Sequence, residues 1–119
     1  MNKKILLIED DFDTRHLFTE CLEAEDFDVI AKVHGKEAIE HIELNGQPDL
    51  IIMDLNFPYL TPEEFVSALR KTEDGEKTPV IIVSGKGDID EYAERLHAQA
   101  FLKKPFDIDP LLKLINIHA

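Results

Sequence analysis

Five residues scattered along a chain of 119 carry groups that could do chemistry together: Glu9, Asp10, Asp54, Ser84 and Lys104. They lie just after short apolar runs that read as buried strands: Ile5-Leu-Leu-Ile8, Leu50-Ile-Ile-Met53, Val80-Ile-Ile-Val83 and Ala100-Phe-Leu102. In an open parallel sheet the ligand crevice lies beyond the carboxyl ends of the strands, so these side chains are expected to converge there. Three carboxylates, one hydroxyl and one ammonium suit a divalent cation beside a group that carries a phosphoryl.

The elements that must position them follow from the apolar pattern. Ile- and Val-rich runs of four or five residues alternate with stretches of helical spacing. The helical stripes are Leu17, Phe18, Cys21 and Leu22; Ala38, Ile39 and Ile42; Phe65, Val66 and Leu69; Tyr92, Ala93 and Leu96; and Leu111, Leu112, Leu114 and Ile115. Such stripes mark one buried helix face. Thr61-Pro62-Glu63-Glu64 reads as a capping box with proline at the first helical position. Asp88 to Glu91 reads as a similar start, and Asp109-Pro110 as the start of the last helix. Asn45-Gly46 and Asp74-Gly75 mark helix ends or turns. Phe27-Asp-Val-Ile-Ala31 is the most alternating strand. The order predicts about five βα units, with strands buried on both faces and right-handed crossovers. That is an α/β fold, doubly wound, with helices on both sides of the sheet and residues 1–119 forming one domain.

Bulk properties narrow the partners. The net charge is −12, from 13 basic and 25 acidic side chains. A nucleic-acid binder carries a basic face, so this domain is expected to bind neither nucleic acid nor an anionic membrane. No apolar run approaches the roughly 18 residues of a membrane span. Met1-Asn-Lys-Lys4 leads into only four strongly apolar residues before Glu9, too few for a signal-peptide core, which points to the cytoplasm. The single cysteine, Cys21, cannot close an internal disulfide and reads as a small core residue on its helix. His16, His34, His41, His97 and His118 show no metal-ligand spacing and read as surface residues.

Each chemical residue has a plainer reading beside it. Glu9-Asp10-Asp11 repel one another when dehydrated and unpaired. A hard cation with oxygen ligands offsets that, whereas Asp11 or Asp13 could simply cap the first helix. Asp54 precedes Leu55-Asn56-Phe57-Pro58, and the next helix cap comes later, at Thr61. It is therefore free of a capping role and available as a nucleophile or metal ligand, since carboxylates form aspartyl phosphates. Ser84 precedes Gly85-Lys86-Gly87, a turn that lets a hydroxyl approach a phosphoryl oxygen. Lys104 offers a compact charge to a phosphate, and the Pro105 that follows permits a cis peptide bond.

Taken in order, Ile-Leu-Leu-Ile-Glu-Asp-Asp, Ile-Ile-Met-Asp-Leu-Asn-Phe-Pro, Pro-Val-Ile-Ile-Val-Ser-Gly and Lys-Lys-Pro-Phe resemble the receiver domain of two-component response regulators. The resemblance covers essentially the whole chain. It implies a flavodoxin-like five-stranded parallel sheet of order 2-1-3-4-5 with five helices. It implies Asp54 as phosphoacceptor, and Mg²⁺ held by Glu9, Asp10, Asp54 and the main-chain carbonyl of Asn56. Ser84 and Lys104 would bond the phosphoryl group, Ser84 and Phe101 would form the switch, and Asn56 and Lys86 would tune hydrolysis. The Lys104-Pro105 bond would be cis.

The implied partners are a histidine kinase or histidine phosphotransfer protein upstream. Downstream stands a protein target or output domain, with a phosphorylation-dependent homodimer as a further form of output. Such a domain catalyses its own phosphorylation and dephosphorylation without being a turnover enzyme. Three departures stand out: Ser84 where threonine is commoner, Phe101 where tyrosine is frequent, and Pro58-Tyr-Leu-Thr-Pro62 where the family usually has glycines after the first proline and at the place of Pro62. Proline fixes φ and removes a donor, so this loop is expected to be stiff. Tyr59 reads either as an exposed partner contact or as cover for the loop.

Two other functions compete. A phosphorylation-independent interaction module would share the fold, but the full acidic set argues against it. A Mg²⁺-dependent phosphatase with an aspartate nucleophile would usually place a second aspartate two residues on, where this chain has Asn56.

Overall fold

Residues 2–56 and 58–119 are described in a computed structural model of the chain. Strands and helices alternate as β1 (Lys4–Ile8), α1 (Phe12–Glu23), β2 (Asp28–Lys32), α2 (Gly35–Asn45), β3 (Leu50–Asp54), α3 (Pro62–Lys71), β4 (Val80–Ser84), α4 (Ile89–Arg95), β5 (Ala100–Lys103) and α5 (Ile108–His118). The strands pair in parallel in the order β2-β1-β3-β4-β5, as expected for a flavodoxin-like sheet.

Alternation along the strands builds two cores. Successive side chains in a strand point to opposite faces. Leu6, Ile8, Ile51, Met53, Val80 and Ile82 face α2, α3 and α4, where Ala38, Ile42, Phe65, Leu69 and Ala93 meet them. Ile5, Leu7, Leu50, Ile52, Ile81 and Val83 face α1 and α5, where Leu22, Leu111 and Ile115 meet them. Both faces are covered, so β1 from Ile5 to Ile8, β3 from Leu50 to Met53 and β4 from Val80 to Val83 are apolar at every position.

The edge strands correct one expectation. β2 and β5 are not buried on both faces: Ile30 is 40 % exposed and Phe101 43 %. Among the described residues each stands at an edge of the sheet, paired on one side. β2 also starts one residue later than the apolar pattern suggested, at Asp28. On α1, Leu17 is 57 % exposed and leaves the predicted stripe. At 3.6 residues per turn the pair Phe18 and Leu22 defines the inward face, and Leu17 stands about 100° from Phe18. Cys21 is half-buried and free.

The helix ends mostly follow the sequence. Thr61 accepts from the Glu64 N–H, and the Glu64 carboxylate accepts from the Thr61 N–H, closing the capping box. Asp11 caps α1 through the Thr14 N–H. Gly46 ends α2 at φ +88°, a conformation glycine adopts without strain. Asp88 differs, because its backbone (φ −103°, ψ 25°) leaves the extended region a capping side chain needs, and it makes no cap bond. α5 begins at Ile108 rather than at Asp109-Pro110. Pro110 sits inside the first turn, where the backbone N–H has no helical acceptor to lose.

Candidate functional site

Register assembles the site. β1 and β3 pair with Ile8 opposite Met53, so the next residues, Glu9 and Asp54, are neighbours on the sheet rim. β4 pairs with β5 at Ser84 opposite Lys103, and the Lys104 N–H donates to the Ser84 carbonyl at 2.8 Å. Four distant segments thus end on one edge. Asp54 and Ser84 prove to be the last residues of their strands.

The Lys104 ammonium donates to Glu9 Oε1 and to Asp54 Oδ2, both at 2.7 Å. Asp54 Oδ1 accepts from the Asn56 N–H at 3.0 Å. The carboxylate therefore caps no helix, as expected, but does make a local turn bond two residues on. Asn56 Nδ2 donates to Asp10 Oδ2 at 3.1 Å, tying the two acidic loops together. Ligand oxygens of Glu9, Asp10 and Asp54 all lie within 4.8 Å of one another. Ser84 is buried, and its Oγ accepts from the Lys86 N–H at 3.2 Å. The Lys86 ammonium lies 5.6 Å over the Tyr92 ring, drawn toward α4. Phe101 stands on β5 with its ring half in solvent. The Lys104-Pro105 peptide bond is cis.

A family model, the response regulator receiver domain, matches residues 5–116. The chain belongs to the response-regulator receiver family. It is 26 % identical to sporulation initiation phosphotransferase F of Bacillus subtilis, over 93 % of this chain and 89 % of that protein. It is 34 % identical to the cell cycle response regulator CtrA of Brucella ovis, over 98 % of this chain but 49 % of that protein. The receiver thus spans most of the first relative and about half the length of the second. The receiver domain of sensor histidine kinase PA1611 from Pseudomonas aeruginosa shares the fold, with a TM-score of 0.89 at 24 % identity over 99 % of this chain and 98 % of that one. That structure holds a magnesium ion in its active site cleft.

The electrostatics of this receiver's rim are unbalanced. Three carboxylates face one ammonium. Burial is the main cause that raises the Glu9 carboxyl from 4.5 to about 7; the Lys104 hydrogen bond opposes it and the Asp54 charge adds to it. Burial alone would lower the Lys104 ammonium, but its bonds to Asp54 and Glu9, and their charges, outweigh this and raise it. Asp11 is pulled down by its Thr14 bonds and belongs to the helix cap. The donor set of Glu9, Asp10 and Asp54 offers only hard oxygens with surplus negative charge, and so fits Mg²⁺ better than a softer metal.

Sequence reasoning missed two features of this rim. Arg15 Nη1 donates to the carbonyls of Glu9 and Asp10 at 3.0 and 3.3 Å. An arginine on the first turn of a helix looks like any solvated charge until the turn is folded. Tyr59 is 85 % exposed and adopts φ +73°, a conformation that glycine takes without strain, and its ring meets His34 edge-on at 5.0 Å. His34 in turn caps α2 by accepting from the Glu37 N–H at 3.4 Å.

Proposed function

We propose that residues 1–119 form a receiver domain that takes a phosphoryl group onto Asp54 from a histidine kinase or histidine phosphotransfer protein, in a Mg²⁺-dependent step. The observation that carries this is the Lys104 ammonium bridging Asp54 and Glu9 at 2.7 Å each, with Asp10 beside them. Glu9, Asp10, Asp54 and the main-chain carbonyl of Asn56 would hold the cation. When bound, Mg²⁺ supplies the positive charge that lets an anionic acceptor meet an anionic phosphoryl group.

The chain's own groups do the rest. The transfer passes through a loose transition state that needs alignment and charge neutralisation more than covalent help. An Asp54 carboxylate oxygen forms the new O–P bond as the P–N bond to the donor imidazole breaks. The imidazole keeps that electron pair. Lys104 offsets the charge on the transferring oxygens, where fixed donors contribute most. The Ser84 Oγ accepts from Lys86 in the resting state, which leaves its proton free to donate to the phosphoryl group. That bond draws the loop after β4 inward, and Phe101 follows as the switch ring. Asn56 and Lys86 flank the site and tune hydrolysis of the acyl phosphate.

The output is a changed face on α4, β5 and α5, read by a protein target or an attached domain, or by a second copy in a phosphorylation-dependent homodimer. The domain binds no nucleic acid and no membrane itself, works in the cytoplasm, and is a signalling module rather than a turnover enzyme. Among the described residues no helix is long and apolar enough to cross a membrane. Intact-mass measurement after incubation with acetyl phosphate and Mg²⁺ tests the reading. One added phosphoryl group is expected in the wild type and none in Asp54→Asn. Equal labelling of the two would reject Asp54, and no labelling of either would favour an interaction module.

A further inference from the structure

We propose that Arg15 is a positioning residue for the acidic pair: its guanidinium clamps the main chain bearing the Glu9 and Asp10 carboxylates and so strengthens Mg²⁺ binding. The inference rests on the metal site proposed above. Glu9, Asp10 and Asp11 occupy the turn between β1 and α1, and Asp11 is already spent on capping α1. Glu9 and Asp10 carry like charges that repel. The Glu9 carboxylate accepts from the Asp11 N–H at 3.3 Å and the Asp10 carboxylate from Asn56 Nδ2 at 3.1 Å, but neither bond holds the Glu9 or Asp10 carbonyl.

Arg15 lies in the first turn of α1, where side chains lean back toward the helix N-terminus. From there Nη1 reaches the carbonyl oxygens of both residues, at 3.0 and 3.3 Å. Hydrogen bonds from a charged donor are about twice as strong as neutral ones. The guanidinium also lies 5.5 Å from the centroid of the Phe12 ring, which limits its freedom to swing away. One side chain therefore holds two consecutive carbonyls, and with them the direction in which both carboxylates leave the backbone.

Charge and clamp predict opposite signs. A positive group beside three carboxylates repels a cation, so if Arg15 acted only through its charge, removing it would tighten Mg²⁺ binding. If it acts as a clamp, removing it loosens the pair and weakens binding. Residues that orient metal ligands typically change metal affinity by about 10–100-fold. The opposing charge effect places the expected net loss near the lower bound.

Calorimetric titration with Mg²⁺ of wild type, Arg15→Ala, Arg15→Lys and Arg15→Gln tests this, with melting in EDTA and circular dichroism as controls of the fold. The expected result is a dissociation constant raised about tenfold in Arg15→Ala. Arg15→Lys should recover only part of the loss, because an ammonium can hold one of the two carbonyls but not both. A merely structural residue would lower the melting temperature in EDTA and leave Mg²⁺ affinity alone. Folded Arg15→Ala that binds Mg²⁺ as tightly as wild type, or more tightly, overturns the inference. Should Arg15→Ala fail to fold, Arg15→Gln decides: weaker binding supports the clamp, and equal or tighter binding overturns it. A wild type that binds no Mg²⁺ overturns the proposed function itself, and the clamp with it.

Discussion

Glu9 is almost fully buried, and the cost of ionising it there is the most sensitive quantity in the site. Its carboxyl sits near 7 in the fold against 4.5 ordinarily. Between those values the folded chain keeps a proton that the unfolded chain has released. The stability Glu9 contributes is therefore fully present below about 4.5 and is lost as pH rises through about 7. Melting curves in EDTA should show wild type losing stability relative to Glu9→Gln across that window, with Mg²⁺ abolishing the trend. A constant difference would contradict the assignment. Tyr59 gives a second test. A bulky residue at φ +73° is strained, at a cost on the order of 1–3 kcal/mol, and the His34 edge contact offsets part of it. Tyr59→Gly should raise the unfolding free energy by about 1 kcal/mol while leaving phosphorylation intact; a loss of stability would show the ring contact outweighing the strain. The types of Glu9, Asp10, Asp54, Ser84 and Lys104 were legible in the sequence because each stands within two residues of the end of an apolar run. Arg15 and His34 were not, because their partners are a backbone turn and a ring distant in sequence.

Helices and strands show where local signals suffice. The capping box at Thr61 was legible because all its parts lie within four residues, and both of its bonds form. Thr61→Ala should cost about 1 kcal/mol in urea unfolding with the phosphoacceptor site unaffected. A change of only a tenth of that would mean the Pro62 start alone holds α3. Asp88 shows the limit, since the same residue type at a similar start makes no cap bond once the backbone leaves the extended region. The edge strands show it again. Burial on both faces belongs to β1, β3 and β4, and strand order is set by packing between segments far apart in sequence. Ile30 and Phe101 are exposed for that reason, and no local pattern distinguishes them from their buried counterparts.

The molecule as a whole does one thing that no single element does: parallel register carries residues 9, 54, 84 and 104 to a common rim. A chain of net charge −12 that gathers three carboxylates there holds an electrostatic excess that a cation relieves. Binding the folded state alone should stabilise it by about 2.7 kcal/mol at a hundredfold excess of Mg²⁺ over the dissociation constant. Scanning calorimetry should show that shift in wild type and its loss in Asp10→Asn. An unchanged melting temperature in wild type would argue against the metal site. The central claim is that this rim makes Asp54, and no other side chain, the phosphoryl acceptor. The direct measurement is reductive trapping of the acyl phosphate with borohydride after reaction with acetyl phosphate and Mg²⁺, followed by peptide sequencing. The account predicts conversion at position 54 alone, abolished by EDTA and strongly reduced in Lys104→Ala. Conversion at Glu9, Asp10 or Asp11, or labelling indifferent to both EDTA and Lys104, would contradict it.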